Sequence, residues 1–249
     1  MIESVAELIK KHSSLCRVSR HTEKLEGRKE EIQLLRESLE KKRMKNTIII
    51  GEAGVGKTAI IEELAYKIKD QYTILEFNIP SALSGTKYRG EFEEKMINIM
   101  RDIIQFNSRG TRPVILFIDE IHTIMLAGNG ENSIDAANIL KPFLSRGEIT
   151  IIGATTPKEY EKTIKKDAAL SRRLSAIYIN SLDKTTTINI LKKFCEDSVE
   201  EELLNYIYDK TQNLDTSIEL LDRCMARRKC SRKKIDIDMI EKIFIFLSK

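Results

Sequence analysis

The sequence predicts an α/β protein in which helices flank a parallel five-stranded sheet, followed by a small all-helical domain. Three observations predict this fold class. Apolar, strand-like segments alternate with helical segments between about residues 46 and 180, a pattern typical of a parallel sheet covered by helices. A glycine-rich turn joins the first strand directly to a helix. From residue 184 onward the strand signal stops and helical spacing continues to residue 247.

Each predicted element follows from this patterning. The strands are predicted at residues 46–50, 72–78, 113–118, 149–154 and 175–179. Helices are predicted between them at residues 57–69, 90–106, 134–146 and 158–173, and after them at 184–196, 199–210, 215–229 and 236–247. Residues 1–12 are consistent with an amphipathic helix, for which packing on the domain is favoured over docking of a partner. We therefore expect an N-terminal helical extension over 1–24, a large α/β domain over 25–180 and a small helical lid domain over 181–249.

Composition narrows the class of protein. The 249 residues carry a net charge of +4, which is too mild to imply a nucleic-acid partner by itself. Apolar runs stay far below the roughly 18 residues that a membrane helix needs, and the first residues are acidic, unlike a secretory signal. The four cysteines form no C-x-x-C pair, and none of the three histidines is placed to complete a zinc site. We expect a cytoplasmic protein with reduced thiols, no membrane span and no structural metal.

The most informative motif is the sequence Gly-Glu-Ala-Gly-Val-Gly-Lys-Thr at residues 51–58, which follows the apolar residues 47–50. A strand that leads into G-x-x-x-x-G-K-T is typical of a phosphate-binding loop, and a chance glycine-rich turn would not place a strand before it and a helix after it. Lys57 would reach the β- and γ-phosphates, and the Thr58 hydroxyl would bind Mg²⁺. The residues expected to bind the nucleotide are Gly51, Glu52, Ala53, Gly54, Val55, Gly56, Lys57, Thr58 and Ala59. The motif predicts binding of a nucleoside triphosphate.

A second motif places two carboxylates after the most apolar strand. Residues 114–118 are continuously apolar and are followed by Asp119 and Glu120. A continuous apolar run is typical of a central parallel strand, and ligands bind where such strands end. We assign Asp119 to the metal and Glu120 to the attacking water, since hydrolysis needs both functions. The alternative, an exposed acidic pair that ends a strand, is disfavoured beside a phosphate loop.

Two weaker signals accompany these motifs. Thr155 ends another predicted strand and would contact the γ-phosphate or the attacking water if that strand neighbours the one before Asp119, although a threonine pair after a strand is also a common turn. Arg172 and Arg173 precede the last strand. An arginine that reaches a neighbouring subunit would stabilise charge in the transition state. A surface ion pair at a helix end explains the two arginines equally well.

With these motifs in order, the sequence resembles the AAA+ ATPases, and among them the first ATPase module of the Clp family of ring-forming unfoldases and disaggregases. The resemblance runs from about Leu25 to the C-terminus and is most specific at residues 84–93, which read Ser-Gly-Thr-Lys-Tyr-Arg-Gly-Glu-Phe-Glu. Further similar segments are residues 27–32, 118–123, 135–142 and 166–173. The resemblance implies a P-loop NTPase fold of the AAA+ type, ATP as the nucleotide, Thr155 as the sensor of the γ-phosphate, and Arg172 and Arg173 as trans-acting fingers in a hexameric ring.

The resemblance also implies a substrate-gripping pore loop made of Lys87, Tyr88, Arg89 and Gly90. An aromatic ring holds varied side chains of an unfolded polypeptide while freezing few torsions. Without the resemblance, Tyr88 would be read as a loop aromatic that packs on its own domain. We expect this sequence to lack the second ATPase module and the peptidase-docking loop that relatives carry. Whether a separate chain supplies a partner ATPase or peptidase subunit is left open by the sequence.

We therefore predict an ATP-driven protein remodeller that forms a ring and acts on client polypeptides. One alternative is a regulatory or assembly ATPase that uses the nucleotide as a switch, and another is a degenerate subunit that no longer hydrolyses ATP. A further alternative is a nucleic-acid-associated loader, suggested by seven cations within residues 223–234, namely Arg223, Arg227, Arg228, Lys229, Arg232, Lys233 and Lys234. Apolar residues at positions 220, 221, 224 and 225 indicate that the same helix packs its other face on the domain, so we expect a solvated basic face. Because no stacking aromatic residue lies nearby in the sequence, we expect no nucleic-acid partner.

Overall fold

The computed structural model of the protein describes residues 2, 4–19, 25–84, 89–110, 112–126, 136–196 and 198–247. The chain divides into two compact units. The first comprises Met1–Gly51 and Lys57–Ile179, and the second comprises Glu52–Gly56 and Asn180–Lys249. No helix in the described part of the chain is long and apolar enough to cross a membrane.

The first unit is built on one sheet, to which the described residues contribute six strands. They are β1 (Cys16–Val18), β2 (Thr47–Gly51), β3 (Thr73–Phe77), β4 (Val114–Ile118), β5 (Thr150–Thr155) and β6 (Ser175–Ile179). Their order across the sheet is β1-β3-β4-β5-β2-β6. Strands β2 to β6 run parallel, and each matches one of the five strands predicted from the sequence. The predicted α/β fold class is confirmed.

The register of the central strands brings their carboxyl ends to one edge of the sheet. Ile50 at the end of β2 pairs with Thr155 of β5, and Ile118 at the end of β4 pairs with Gly153 of β5. All five residues of β2 and all five of β4 are buried, as expected for central strands that are covered on both faces. The segments that follow β2, β4 and β5 therefore leave the sheet side by side.

Strand β1 adds an antiparallel edge that the sequence analysis does not predict. It pairs with β3, and Arg17 lies opposite Glu76. The Arg17 guanidinium donates two hydrogen bonds of 2.8 Å to the Glu76 carboxylate. The sequence pattern misses β1 because it has only three residues, and because its charged central residue is stabilised by a partner 59 positions away.

Helices cover the sheet of the first unit. They are α1 (Val5–Lys11), α2 (Lys29–Glu40), α3 (Lys57–Lys67), α4 (Ile79–Leu83), α5 (Arg89–Asn107), α6 (His122–Leu126), α7 (Ala136–Arg146), α8 (Pro157–Lys162) and α9 (Ala168–Ser171). The core joins strand residues such as Leu116 to helix residues such as Phe92 and Met96, all at most 1% exposed. The Cys16 thiol belongs to this core, and burial raises its pKa to about 12, so the thiol stays protonated at neutral pH.

The helix predicted over residues 158–173 is two helices, α8 and α9. Asp167 begins the second one, because its carboxylate accepts hydrogen bonds from the backbone N–H groups of Ala169 and Leu170. Lys141 of α7 binds the other carboxylate oxygen at 2.7 Å. Burial opposes ionisation of Asp167, but these hydrogen bonds outweigh it and lower the pKa of its carboxyl group. This N-cap holds the backbone in place just before Arg172 and Arg173.

Helix α1 packs on the first unit, as the favoured interpretation of residues 1–12 expects. Leu8 is fully buried in the core, and the Ser4 hydroxyl caps the helix by accepting from the Glu7 N–H. Asp102 of α5 lies 2.6 Å from the Lys11 ammonium and 2.7 Å from Nε2 of His12. Burial opposes ionisation of Asp102, but the hydrogen bonds from both partners prevail and lower its pKa.

The C-terminal segment of the second unit is entirely helical where it is regular. Its helices are α10 (Lys184–Phe194), α11 (Glu201–Thr211), α12 (Leu214–Ser231) and α13 (Ile237–Leu247), close to the four predicted segments. They enclose a separate core that includes Leu191, Leu204 and Leu220, each fully buried. Helix α12 ends at Arg232, which adopts a left-handed conformation with φ of 58°.

The basic residues of α12 and of the segment after it are exposed, as expected, and two aromatic rings that the sequence pattern does not indicate lie near them. Phe246 of α13 lines a cavity of about 230 Å³ together with Arg223 and Arg227. Phe194 lines another cavity, of about 360 Å³, together with Arg228 and Lys229. Phe246 is 73% exposed and Phe194 is 39% exposed. The fold of the second unit thus places two exposed rings near basic residues of α12.

Candidate nucleotide-hydrolysis site

The glycine-rich loop begins where β2 ends and continues into α3. Within it, Gly54 and Gly56 have φ angles of 75° and 89°, which side chains with a Cβ rarely adopt. An added Cβ at Gly54 would also lie 2.8 Å from Cβ of Asp215, which belongs to the same compact unit. The two glycines of the sequence Gly-x-Gly-Lys are therefore needed for the backbone conformation of the loop. Such a conformation is expected for a loop that turns its N–H groups towards an anion.

Lys57 is the first residue of α3 and is only 8% exposed. Its ammonium donates a 2.9 Å hydrogen bond to the Gly51 carbonyl oxygen, so the charge is held at the end of β2. An ammonium group is costly to bury unless it is paired. The first turn of a helix also carries a partial positive charge, which favours an anion at the same place.

Thr58 and Asp119 come together from separate parts of the chain. The Thr58 hydroxyl donates a 3.0 Å hydrogen bond to one Asp119 carboxylate oxygen. Thr58 follows β2 and Asp119 follows β4, and these strands both border β5. The parallel register therefore explains why two residues 61 positions apart meet at this edge.

This pair fits a magnesium ion. A hydroxyl and a carboxylate are hard oxygen ligands, and Mg²⁺ in such sites uses only one or two protein groups together with water and substrate phosphates. Among the described residues, no group of three or more His, Cys, Asp or Glu side chains could by itself hold a metal ion. The donor set is thus of the kind that suits Mg²⁺ bound with a phosphate.

Glu120 follows Asp119 in a left-handed backbone conformation with φ of 49°. Such a conformation costs of order 1–3 kcal/mol for a residue with a side chain and often occurs at functional sites. The backbone N–H of Glu120 donates to Asp119 Oδ1 at 2.9 Å, which helps to hold the turn. The Glu120 side chain is 51% exposed, so its carboxylate can meet solvent.

Thr155 is fully buried at the end of β5. Its hydroxyl forms a 2.9 Å hydrogen bond with Nδ1 of His122, and Nε2 of that imidazole lies 3.3 Å from a Glu120 carboxylate oxygen. The structure therefore brings Thr155 and Glu120 to the same histidine. No role for His122 is predicted from the sequence; the signal for it is a histidine two residues after a strand-ending Asp-Glu pair.

Gly153 explains how the turn after β4 lies so close to β5. A Cβ built on Gly153 would lie 2.9 Å from Cδ1 of Ile121, closer than real Cβ contacts allow. The Ile121 N–H donates to the Ala154 carbonyl oxygen at 3.0 Å. A larger residue at 153 would therefore force the Ile121 side chain, in the turn after Asp119 and Glu120, to shift.

The two arginines differ in their surroundings. Arg173 is partly buried and donates a 2.6 Å hydrogen bond to the Ala169 carbonyl oxygen of the preceding helix α9. Arg172 is exposed, and its guanidinium has no hydrogen bond or ion pair to any described residue. A local ion pair, the alternative left open by the sequence, is therefore not formed by Arg172 within the described part of the chain.

Of the predicted pore-loop residues, Lys87 and Tyr88 lie outside the described residues. Arg89 and Gly90 begin α5, which continues to Asn107. The helix therefore begins within the segment predicted to grip a substrate, because the last two residues of that segment are helical.

A glycine-rich loop with Lys57, Thr58 and a strand-ending Asp-Glu pair defines a phosphate-loop nucleotide-binding protein. The chain belongs to the ATPase family associated with various cellular activities (AAA), whose sequence profile matches residues 47–181. It is similar to the ATP-dependent Clp protease ATP-binding subunit ClpC of Staphylococcus epidermidis, with 42% identity over 220 residues, and to that of Staphylococcus aureus, with 40%. These matches cover 85% of this chain and 26% of each relative, so the chain spans about a quarter of the length of the curated relatives it matches.

Solved structures show the same relationship. The chain is similar to Hsp104 in its closed state with ATPγS and FITC casein, with a TM-score of 0.77 and 29% identity over 95% of this chain and 46% of that chain. It is equally similar to the Saccharomyces cerevisiae Hsp104–ADP complex, with a TM-score of 0.77 and 32% identity over 91% of this chain and 42% of that one. The resemblance to the Clp family inferred from the sequence motifs is confirmed.

Proposed function

We propose that this chain binds and hydrolyses ATP with Mg²⁺ and acts as a module of a ring-forming protein remodeller. The observation that carries the proposal is the 3.0 Å hydrogen bond between the Thr58 hydroxyl and Asp119, in a chain of the AAA family. It brings together, beside the phosphate loop, two oxygen groups of the kind that suit Mg²⁺. In this proposal residues 51–59 bind the nucleotide. They belong to an α/β domain over 25–180, which is preceded by an N-terminal extension over 1–24 and followed by a lid domain over 181–249.

Each side chain has a distinct task in the proposed reaction. Lys57 neutralises charge on the β- and γ-phosphates, and the exposed Glu120 carboxylate takes a proton from the attacking water. Thr58 and Asp119 would hold Mg²⁺, which supplies further neutralisation of phosphate charge when bound. Thr155 contacts the γ-phosphate, so the site distinguishes a triphosphate from a diphosphate.

The relatives support the proposal that the substrate is a polypeptide. Hsp104 is seen with casein, and ClpC is named as the ATP-binding subunit of a protease. We extend this to the present chain: it assembles into a ring of six, works in the cytoplasm, grips a client with Lys87, Tyr88, Arg89 and Gly90, and can join a partner ATPase or peptidase. The alternative is a regulatory or assembly ATPase in which the same site acts as a switch.

Arg172 provides the test of ring assembly. If its exposed guanidinium completes a neighbour's site, Arg172→Ala should lower ATP turnover about 10- to 100-fold, the worth of a hydrogen bond to a charged group, and leave ATP binding unchanged. Arg36→Ala, at an exposed arginine on α2, is the matched control and should keep full activity.

A mixing experiment distinguishes action in trans from action within one chain. Arg172→Ala retains an intact phosphate loop, whereas Lys57→Ala retains an intact arginine. Mixed in equal amounts, the two inactive variants should regain turnover, because mixed rings contain complete sites. Failure to regain turnover in a mixture that does assemble would contradict the assignment of Arg172 to a neighbour's site.

A second candidate function is binding of single-stranded nucleic acid by the basic end of α12. The specific observation in its favour is the pair of exposed rings, Phe194 and Phe246, that line cavities with four of its cations. Basic residues bind phosphates and rings stack on bases. Titration of fluorescent oligonucleotides at increasing salt should then show binding that weakens with salt, and Phe246→Ala should weaken it about tenfold. Equal affinity of Phe246→Ala and the parent protein would reject this candidate.

A further inference from the structure

His122 lies between two residues of the proposed reaction but has no part in it so far. It begins α6, directly after the turn that carries Asp119 and Glu120, and is only 8% exposed. Its Nδ1 forms a hydrogen bond of 2.9 Å with the Thr155 hydroxyl, and its Nε2 lies 3.3 Å from a Glu120 carboxylate oxygen. Both nitrogens of a buried imidazole are thus engaged by residues with assigned tasks.

The chemistry of these partners fixes the direction of the contacts. A carboxylate only accepts, so its position beside Nε2 favours the imidazole tautomer that carries its proton on that nitrogen. Nδ1 of this tautomer is an acceptor. The Thr155 hydroxyl must then donate its single proton to Nδ1, which leaves no proton for another acceptor.

A γ-phosphate oxygen would compete for that one proton. When Thr155 donates to the phosphate, its hydrogen bond to Nδ1 is lost, and the imidazole is no longer held in the same tautomer and orientation. We propose that His122 is a positioning residue that orients the Glu120 carboxylate and transmits to it whether Thr155 contacts a γ-phosphate. This inference rests on the proposed ATP hydrolysis. It couples Thr155, the proposed sensor of the γ-phosphate, to Glu120, the proposed base.

Hydrogen bonds hold the main chain around His122 in place, so the imidazole ring is the group whose position can change. The N–H and the hydroxyl of Thr123 both donate to the Glu120 carbonyl oxygen, at 2.8 and 2.9 Å. The Glu120 N–H donates to Asp119, and the Ile121 N–H donates to β5. The main chain of the turn is therefore fixed, whereas the Glu120 side chain is half exposed and has the histidine as its described neighbour. Orientation of the carboxylate thus depends on the imidazole.

Steady-state ATPase kinetics test the positioning role. His122→Leu should lower kcat about 10- to 100-fold, as is typical for loss of a residue that orients a functional group, while KM changes less than about threefold, since no contact to the nucleotide is removed. His122→Gln offers both a donor and an acceptor and should recover part of the loss. In the double variant with Thr155→Val, the two losses should not multiply, because both interrupt one chain of contacts.

NMR of the imidazole gives a readout that does not depend on activity. The chain has only three histidines, so the ring signals of His122 can be assigned by substitution. Without nucleotide, Glu120→Gln should shift the His122 nitrogen signals. In the parent protein a β,γ-imido ATP analogue should shift them and ADP should not, and Thr155→Val should abolish this difference.

Several results would overturn the inference. These are an unchanged kcat in His122→Leu, losses that multiply in the double variant, or His122 signals that respond equally to the analogue and to ADP. If the parent protein hydrolyses ATP but His122 shows any of these results, only the inference fails. If the parent protein does not hydrolyse ATP, the proposed function fails, and the nucleotide-free comparison with Glu120→Gln still decides whether His122 senses the carboxylate. If His122→Leu does not fold, His122→Gln and the parent spectra carry the test.

Discussion

Replacing Lys57 by alanine should remove ATP turnover and weaken nucleotide binding by about one to two orders of magnitude, since a hydrogen bond to a charged group contributes about 1.5–3 kcal/mol. The ammonium is buried and held at the end of β2 by the Gly51 carbonyl oxygen, so no other side chain of α3 can replace it. Fluorescence titration with a labelled ATP analogue measures the affinity, and phosphate release measures turnover.

Lys67→Ala is the matched control for this change. Lys67 lies in the last turn of the same helix, is 44% exposed and pairs with Glu63 at 3.2 Å. Because the Glu63 carboxylate is only 8% exposed, loss of this ion pair should lower the stability of the protein. It removes no group from the phosphate loop, so the affinity and turnover of the folded variant should stay within about twofold of the parent protein. Equal losses in Lys57→Ala and Lys67→Ala would mean that α3 is needed only for folding, and the phosphate assignment would fall.

Glu120→Gln should lower kcat by about 10²- to 10⁴-fold, the usual contribution of a general base, and should keep ATP bound. Glutamine has the same shape as glutamate and can keep the left-handed backbone that Glu120 adopts. The amide cannot accept a proton from water, whereas Asp119 and Thr58 remain in place. Single-turnover assays should show fast ATP binding and a slow chemical step.

Two further variants make the Glu120 result specific. Glu161→Gln changes a carboxylate of similar exposure, 54% against 51%, on α8, and should leave kcat unchanged.

Tyr88→Ala should preserve ATP hydrolysis but abolish unfolding of a model client if the chain threads polypeptides. A chain in which Tyr88→Ala retains all cellular function while Glu120→Gln loses it would instead be a nucleotide-dependent switch. Weak ATP binding by Glu120→Gln would argue against its assignment as the base.

Much of the fold could be predicted because it depends on local pattern. The continuous apolar runs that become β2 and β4 are long enough to identify strands, and the four helices of the second unit keep their spacing over several turns. Elements that depend on distant partners could not be predicted. Strand β1 needs Glu76, and the break between α8 and α9 depends on Asp167 and on Lys141 from another helix.

The residues of the candidate site likewise divide into those that a local motif predicts and those that depend on distant contacts. Roles could be predicted for motif residues such as Lys57, Thr58 and Asp119 because their spacing is typical of phosphate and metal binding. The meeting of Thr58 with Asp119 follows from the parallel register. His122 could not be given a role, since its partners approach it from opposite sides only after β4 and β5 have paired. The same holds for Phe194 and Phe246, which reach the basic helix end only through the packing of α10, α12 and α13.

The short antiparallel strand β1 limits the pairing of unfolded chains with the edge of the sheet. Without it, β3 would offer five residues of unpaired backbone along the rim of the sheet, and such a rim readily captures extended peptides and nucleates aggregates. The rim that β1 presents instead is three residues long and carries Arg17 at its centre. If the chain acts on polypeptides as proposed, this short charged rim protects it, on this side, from adding a client to its own sheet.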